Sequence, residues 1–457
     1  MIRTLIGRIF GPKPRPDGHP ETWLKRHAEV FRASALGLDL QAVSQAALRT
    51  CESLQQAGFS AFVVGGGVRD LLLGRRPKDF DIATNAPPEE VIKLFRRARL
   101  IGRRFQIVHV HHGRELIEVS TFRAIQTDAK TDEHGRVLAD NVWGSQEDDA
   151  ARRDFTVNAL YLDPIRDQLL DYHHGVRDLK AGILRIIGDP ATRYREDPVR
   201  MLRVARFAAK LGFRIEDNTR APIRDMADLL RHVPAARLFD ELLKLLSSGH
   251  AVASIQTLRA EGLHHGLLPL LDGIFASESG ERFIQQALNN TDARIAAEKS
   301  VSPGFLLAAL LWPQVLAAWQ PRLAAGEHPM PSLLAAADQV LEQQSDRLAV
   351  QKRFAADMRE IWTLQLRFER CSGGAPMRVL EHPRFRAAYD FLLLRAQAGE
   401  DCEALAAWWQ SFVEGDENDR KDLLLRPPGP RVAGPRRRRS GRKRAKAAVE
   451  QPPQPGA

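Results

Sequence analysis

The chain has 457 residues, 44% hydrophobic and 27% charged, a composition typical of a globular protein with two or three domains. No apolar run approaches the roughly 20 residues that span a bilayer, and the apolar part of the N-terminal segment is too short for a secretory signal. The three cysteines are isolated, which argues against a disulfide or zinc framework. They favour a reducing compartment, so we expect a cytoplasmic protein.

The net charge of +10 is concentrated at one end of the chain. Residues 426–457 contain ten Lys or Arg and one acid, so this segment carries +9 and the other residues together carry +1. Arg-dense clusters such as "PRRRRSGRKRAK" suit phosphate, and we expect a polyanionic partner, most simply nucleic acid. The alternative is a tail that only improves solubility.

In chain order, residues 1–35 are Pro-rich and predict a mobile leader, and residues 36–170 predict an α+β domain. The predicted elements of that domain are a helix over 40–57, a strand at "SAFVVGG", a short helix at "VRDLLLG", a strand at "DFDIAT", a helix at "PPEEVIKLFRRA", a hairpin at "QIVHVHHG" and "ELIEVSTF", and a helix-to-strand passage at "DFTVNALYL". From 171 to 425 the apolar spacing is almost wholly helical. The remaining residues, 426–457, are expected to be disordered.

Two aspartates of "DFDIAT" point to metal chemistry. Asp79 and Asp81 are two apart on a predicted strand, so their side chains share a face and lie about 6.6 Å apart along it. This separation suits carboxylates that flank two magnesium ions in metal-assisted nucleotidyl transfer. A lone DxD is also common on a solvated strand face, so the pair indicates a metal site only together with the motifs around it.

A glycine-rich turn precedes the aspartates by about a dozen residues. Gly65, Gly66 and Gly67 open a predicted helix whose free N–H groups would face a triphosphate, and Arg69 can add a charged fork to it. The turn lacks the Lys-Ser/Thr ending of a P-loop and the acidic residue of a dinucleotide fold, which excludes both. The combination predicts a nucleotide held by its phosphates over magnesium.

A third acid is expected near the DxD pair. Glu118 lies on a strand that could pair with the DxD strand, and Asp154 in "RRDFTVNAL" is the alternative. If that segment is helical, Asp154 and Asn158 share a face and could bond a ribose hydroxyl while Arg153 reaches phosphate. Each acid could equally form an ordinary salt bridge, so the choice between Glu118 and Asp154 stays open.

Four stretches together resemble the class II nucleotidyltransferase superfamily of bacterial poly(A) polymerases and tRNA CCA-adding enzymes. They are "VVGGGVRDLLLGRRPKDFDIAT", "IEVSTFR", "RRDFTVNALYLD" and "REDPVRMLRVARFAAKLGF", and they span roughly residues 55–250. The resemblance implies an α+β fold with a mixed-sheet catalytic head over 36–170, a helical neck over 171–250 and a helical, RNA-binding body over 251–425. It also implies ATP as a substrate.

The neck motif offers a way to select bases without a template. Asp197 precedes Pro198 at a helix start and Arg200 lies one turn on, so both can face a base edge. An arginine can donate to N1 of adenine while an aspartate accepts from its amino group, and cytosine presents the same order, whereas guanine and uracil reverse it. Arg203, one turn further on, is expected to support the site. The alternative is an exposed salt bridge at the helix start.

The stretch "LIGRRFQIVHV", residues 100–110, resembles a segment that marks the poly(A) polymerase branch. Its Arg103 and Arg104 could contact phosphate, and no His-Asp dipeptide of an attached phosphohydrolase occurs in the chain. We therefore expect template-independent addition of AMP from ATP to RNA 3′ ends. The alternatives are a tRNA CCA-adding enzyme and a non-enzymatic RNA-binding protein on an inactive nucleotidyltransferase scaffold.

Overall fold

The structure, a computed structural model, describes residues 28–102, 106–124, 142–264, 278–345 and 349–425. The strands in these ranges are β1 (Glu29–Arg32), β2 (Ala61–Val64), β3 (Asp81–Thr84), β4 (Ala98–Ile101), β5 (Ile107–His112), β6 (Glu115–Thr121), β7 (Leu160–Asp163), β8 (Gln168–Asp171), β9 (Ile183–Leu184) and β10 (Arg214–Ile215). Eight form one sheet in the order β1-β8-β7-β2-β3-β6-β5-β4. Only β3 and β6 pair in parallel there, so the predicted mixed sheet is confirmed.

The sheet carries a continuous row of paired residues that passes through the DxD strand. Directly paired residues point to the same face of a sheet, so the members of this row share one face, which we call the cleft face. In strand order the row contains Tyr161, Val64, Asp81, Glu118, His109 and Arg99. The parallel β3–β6 pairing thus puts Glu118 directly beside Asp81.

The two faces of the sheet have different surroundings. Val108, Val119 and Ile82 point away from the cleft face and are buried in the main hydrophobic core, together with residues of the helices α1 (Gln45–Gln56) and α3 (Pro88–Leu94). On the cleft face, the helix α4 (Gln146–Arg152) contributes Ala150 to a small apolar cluster with residues of β2 and β7. The cleft lies over the strands beyond that cluster, so the DxD strand stands at the boundary between its covered and open halves.

The rest of the described chain is almost wholly helical, as predicted. The further helices are α2 (Gly66–Leu72), α5 (Gly175–Ala181), α6 (Pro190–Glu196), α7 (Val199–Leu211), α8 (Asp217–Arg220), α9 (Ile223–Met226), α10 (Ala235–Leu246), α11 (Ala251–Ala260), α12 (Glu278–Ala296), α13 (Pro303–Ala324), α14 (Pro329–Ser345), α15 (Lys352–Phe368), α16 (Ala375–Leu380), α17 (Phe385–Gln397), α18 (Glu403–Glu414) and α19 (Glu417–Leu425). Among the described helices, none is long and apolar enough to cross a membrane.

The neck helix α7 links the catalytic head to the helical body. It is amphipathic, buries Met201, Leu202 and Ala205 among others, and packs against α10 and α11. Gly212 ends it with a φ of 71°, in the left-handed region that glycine adopts without strain. From this helix Arg203 reaches Asp154 of the head and Arg200 contacts Glu196 of α6, while the apolar face is fixed in the core.

The structure differs from three local predictions. Glu29–Arg32 form the edge strand β1, paired with β8, so the ordered head begins inside the segment 1–35 that was expected to be mobile. β3 begins at Asp81, and Asp79 lies two residues before it, although the exposed-buried-exposed pattern of Asp79, Phe80 and Asp81 keeps both acids on one side. The segment after Asp154 forms a 3-10 turn, Thr156–Asn158, rather than an α-helix. Arg103, Arg104 and residues 426–457 lie outside the described residues.

Candidate active site

A cavity of about 260 Å³ opens on the cleft face next to the DxD strand. Its wall combines acids of the central strands with arginines of the segments that cover the other half of the sheet. The lining residues are Val64, Asp81, Ile107, Glu118, Ser120, Arg123, Asp149, Arg152 and Arg153. A cavity with carboxylates on one side and guanidinium groups on the other suits a ligand that brings both cations and phosphates.

The two central acids lack cationic partners. Among the described residues, neither Asp81 nor Glu118 pairs with Lys or Arg, and the contact of Glu118 is with His109, whose Nε2 lies 3.5 Å from Oε1. Desolvation, together with the negative charges of Glu118 and Asp79, raises the pKa of Asp81 to about 6, although the positive charge of Arg153 opposes this shift. Like charges held together without a counterion fit a cation-binding site.

The acids of the cleft form a donor set suited to magnesium. Carboxylate oxygens are the ligands that Mg²⁺ prefers, and Asp79, Asp81 and Glu118 supply them. Within the described residues, no three His, Cys, Asp or Glu side chains are close enough to enclose a metal ion by themselves. Mg²⁺ in nucleotide enzymes is usually held by one or two carboxylates together with water and substrate phosphates, so these residues fit it.

The glycine-rich turn packs directly against the acidic strand. Gly65 precedes α2 with a φ of 73°, and a Cβ on it would lie 3.6 Å from Nη1 of Arg153. A Cβ on Gly67 would lie 3.3 Å from the ring of Phe80 and 3.4 Å from the carbonyl oxygen of Asp79. The turn therefore holds the start of α2 close to both the DxD segment and Arg153.

Arg69 is placed differently from its sequence prediction as a phosphate ligand. The residue is 2% exposed, its Nη1 donates to Oδ1 of Asn158 at 2.7 Å, and its Nε and Nη2 donate to Oδ1 of Asp70. Its guanidinium also lies over the ring of Phe207, 5.3 Å from the centroid. Because these contacts use all of its nitrogens, the geometry favours a positioning role that ties α2 to the neck.

Arg153 lines the cleft and is held by two residues that the sequence reasoning missed. Its Nε donates to the hydroxyl of Tyr161 at 2.9 Å and its Nη2 to Oδ2 of Asp149 at 3.0 Å. The Tyr161 hydroxyl in turn donates to the same Asp149 oxygen at 2.6 Å. This network fixes Arg153 beside Gly65, where a phosphate bound by the turn would meet it.

Arg123 and Arg152 were also missed, although both stand in the quoted motifs "IEVSTFR" and "RRDFTVNALYLD". Burial, with the positive charges of Arg123, Arg193 and Arg200, lowers the pKa of Arg152 to about 10. Burial likewise lowers the pKa of Arg123. Guanidinium groups that depress one another's pKa are stabilised by an anion, so this wall suits phosphate.

Asp154 occupies a buried network away from the cavity lining. Its Oδ1 accepts from the Phe155 N–H at 2.8 Å and from Nδ2 of Asn158 at 3.2 Å, and its Oδ2 lies 2.5 Å from Nη2 of Arg203. Burial acts to raise the pKa of Asp154, but Arg203 and these hydrogen bonds lower it on balance. Asn158 is itself buried, with its side chain shared between Asp154 and Arg69. The geometry therefore favours Glu118 over Asp154 as the acid beside Asp81.

The two neck residues assigned to the base edge already have partners. Oδ2 of Asp197 accepts from Nη2 of Arg237 at 2.6 Å, and Nη1 of Arg200 donates to Oε2 of Glu196 at 3.0 Å and to the Arg193 carbonyl at 2.7 Å. Oδ1 of Asp197 is buried and has no hydrogen-bond partner among the described residues. An orphaned acceptor is the feature expected of an aspartate that awaits a base amino group.

Comparisons with known proteins identify the family. Residues 61–185 match the "Poly A polymerase head domain", residues 212–275 the "Probable RNA and SrmB-binding site of polymerase A", and residues 325–444 the "Polymerase A arginine-rich C-terminus". Poly(A) polymerase I of Haemophilus influenzae is 44% identical over 94% of this chain and 99% of its own length. The chain belongs to the poly(A) polymerase family. The predicted enzyme class, poly(A) polymerase, is thereby confirmed.

The CCA-adding branch matches less of the chain. The CCA-adding enzyme of Lactobacillus helveticus is 40% identical, but over only 46% of this chain and 52% of its own length. A solved Thermotoga maritima CCA-adding enzyme complexed with tRNA covers 87% of the chain with 20% identity and a TM-score of 0.51. That structure supports the shared fold, while the match over nearly the whole chain lies with the poly(A) polymerases.

Proposed function

We propose that this poly(A) polymerase joins ATP to the RNA 3′ end in the cavity between Asp81 and Arg153. The observation that carries the proposal is the parallel pairing of Asp81 with Glu118, two acids that pair with no Lys or Arg among the described residues, opposite a wall of arginines. Nucleotidyl transfer between two phosphate-bearing substrates depends mainly on positioning and on charge stabilisation, so no covalent nucleophile is needed.

Asp79, Asp81 and Glu118 are the residues that would hold magnesium. When bound, such ions would neutralise triphosphate charge and favour ionisation of the RNA 3′-hydroxyl. The acids themselves hold this position through the strand pairing, since Asp81 and Glu118 are directly opposite on β3 and β6. Asp154, paired with Arg203, would support the neck side of the site instead.

The triphosphate would lie against the glycine turn and the arginine wall. The start of α2 offers backbone N–H groups, and Arg153 stands beside Gly65. Arg123 and Arg152 extend the cationic surface along the cavity, where the departing pyrophosphate would be stabilised. Tyr161 and Asp149 keep Arg153 oriented, so their part is to position the phosphate ligand.

Base choice would depend on Asp197 and Arg200 at the start of α7. The free Oδ1 of Asp197 can accept the adenine amino group while a guanidinium nitrogen of Arg200 donates to N1. Arg237 and Glu196 hold the two side chains at fixed positions. Arg203 supports this site through Asp154.

RNA contacts are assigned to the helical body and to the basic segment 426–457, which carries +9. Such a cation would bind phosphates without reading sequence. The buried, free cysteines fit the reducing environment of the cytoplasm, where the protein would take part in mRNA processing.

The deciding experiment offers each nucleotide separately with two acceptors, an unstructured RNA and a tRNA that ends before CCA. We expect a long ladder with ATP on both acceptors. Extension restricted to the tRNA, ending after C, C and A, would contradict the proposal and support CCA addition. RNA binding with no extension under any condition would support an inactive scaffold.

A further inference from the structure

The cleft face continues beyond Glu118 onto the two outermost strands, where no role has been assigned. Cross-strand pairing places His109 next to Glu118 and Arg99 next to His109. Ile101 pairs with Ile107 on the same face, and Ile107 also lines the cavity. We call these four residues, Arg99, Ile101, Ile107 and His109, the acceptor strip.

The acceptor strip combines a free cation with accessible apolar surface. Arg99 is exposed and has no hydrogen bond or ion pair with any described residue. Ile101 is 45% exposed and adds accessible apolar surface beside this cation. Both features lie on one continuous surface with the acids, since Arg99 is three strand spacings, or roughly 14 Å, from Asp81.

The in-line geometry of nucleotidyl transfer indicates which substrate would contact the acceptor strip. In phosphoryl and nucleotidyl transfer, the attacking and leaving oxygens lie roughly in line on opposite sides of the phosphorus. The glycine turn and Arg153, which suit the triphosphate, stand on the β2 and β7 side of Asp81. With the triphosphate on that side of Asp81, the attacking hydroxyl would approach from the β5 and β4 side, across the acceptor strip.

We propose that the acceptor strip binds the 3′-terminal segment of the RNA acceptor, with Arg99 on a backbone phosphate and Ile101 and Ile107 against the sugar or base. The inference rests on the proposed function. A strand of stacked RNA advances about 3.4 Å per phosphate, so the 14 Å between Asp81 and Arg99 corresponds to only a few nucleotides. With its guanidinium on a backbone phosphate and only aliphatic side chains against the sugar or base, the strip makes no hydrogen bond to a base edge and accepts any sequence.

The matched pair Arg99→Gln and Arg49→Gln tests this inference. Arg49 is an exposed arginine of α1, on the opposite side of the same sheet, so its replacement removes the same charge away from the cleft. With the full-length protein and a short single-stranded RNA, we expect Arg99→Gln to raise the KM for RNA about fivefold at low salt. The log–log salt slope should flatten by about 0.7, the value for one phosphate on a single strand. The KM for ATP should stay constant, and Arg49→Gln should behave as wild type.

A photo-crosslinking nucleotide next to the RNA 3′ end gives a second, independent readout. We expect it to label the peptide that contains β4 and β5. Labelling confined to the neck, or a higher KM for ATP with an unchanged KM for RNA, would overturn the inference. Failure of the proposed function is a separate result, because the wild-type protein itself would then add no AMP to RNA.

Discussion

The acids of the cleft and the acids bound by arginines of the neck differ in their partners. Within the described ranges, Asp81 and Glu118 stand side by side without an ion pair to Lys or Arg, whereas Asp154 and Asp197 are bonded to Arg203 and Arg237. The pKa values follow this division, because desolvation and its acidic neighbours raise that of Asp81 while Arg203 helps to lower that of Asp154. An acid that a guanidinium already neutralises has little to gain from a metal ion, whereas an unpaired cluster gains a great deal. The comparison separates metal ligands from structural acids.

The sharpest test of this comparison is Asp81→Asn. We expect its rate of AMP addition to fall by roughly a hundredfold or more, since one preorganised charge at the reacting centre is lost. RNA affinity and the folded state should persist, because the Asp81 side chain has no hydrogen-bond or ion-pair partner in the part of the chain that the structure describes. Steady-state adenylation of a short RNA measures the loss.

Glu115→Gln is the control for Asp81→Asn, because it removes an exposed acid at the start of the strand that carries Glu118. Glu118→Gln should resemble Asp81→Asn, and Asp154→Asn should show a binding or stability defect. If Asp154→Asn lost activity as Asp81→Asn does while Glu118→Gln stayed active, the division of roles would be reversed.

Arg203→Met removes the cationic partner of Asp154. Asp154 would then be a buried carboxylate without its counterion, and we expect the free energy of unfolding to fall by about 2–3 kcal/mol, less than for a fully enclosed pair because Arg203 is 33% exposed. Urea unfolding followed by circular dichroism gives the value.

The double variant Asp154→Asn/Arg203→Met should recover part of that loss. Arg386→Met, which breaks an exposed i, i+4 pair with Asp390, should cost about 0.5 kcal/mol or less. Equal losses in Arg203→Met and Arg386→Met would mean that Asp154 does not depend on its partner.

Arg200→Ala probes the base-reading role of the neck. A paired base contact is worth roughly 1–3 kcal/mol of discrimination, so we expect the preference for ATP over UTP to fall by about tenfold. Nucleotide affinity as a whole should change less, because the phosphates are assigned to the glycine turn and Arg153. Single-nucleotide incorporation with ATP and UTP measures the ratio. An unchanged ratio with weaker binding of every nucleotide would assign Arg200 to the phosphates.

Local patterns predicted the elements of the head because each has a short-range signal. The strand at "SAFVVGG", the glycine-opened helix and the hairpin that carries Glu118 all appear, and the pairing of the Glu118 strand with the DxD strand is confirmed. Apolar alternation and turn residues set these elements locally. The edge strand β1 gave no such signal, because its pairing with β8 depends on residues more than 130 positions away.

Side-chain partners were harder to predict than elements. Arg69 was assigned to phosphate because an arginine after a glycine turn suits that role, but its burial depends on Asn158 and Phe207, which only the fold brings near. The same holds for Arg237, which reaches Asp197 from 40 residues away. Sequence spacing shows which residue types can do the chemistry, whereas competition for partners is decided in three dimensions.

The smallest expected effect is a change in stability that Asp81→Asn brings at neutral pH. An acid whose pKa is raised on folding, here from about 3.9 to about 6, binds its proton more tightly in the folded state. As the pH rises from 4 to 6, Asp81 therefore lowers the free energy of unfolding of the wild type, and the full penalty is present above pH 6. Asparagine removes the penalty, so the variant should match wild type near pH 4 and exceed it at pH 7. Because the Asp81 side chain lines an open cleft, where solvent screens its repulsion from Glu118 and Asp79, we expect a difference of about 1 kcal/mol or less.

Urea unfolding at pH 4, 5, 6 and 7 in a chelator measures this difference without bound metal. Added magnesium should then reduce the difference in the free energy of unfolding between the variant and wild type. A cation between Asp81 and Glu118 offsets their repulsion in the wild type but finds one ligand fewer in the variant. Asp154 should show the opposite dependence on pH. Because its pKa is lowered on folding, Asp154 stabilises the fold at a pH above its pKa in the unfolded chain, and that stabilisation is lost as the pH falls. If Asp81→Asn were less stable than wild type at pH 7 in the chelator, Asp81 would have a stabilising partner in the folded protein, and the contrast between the acids of the cleft and the acids bound by arginines of the neck would fail.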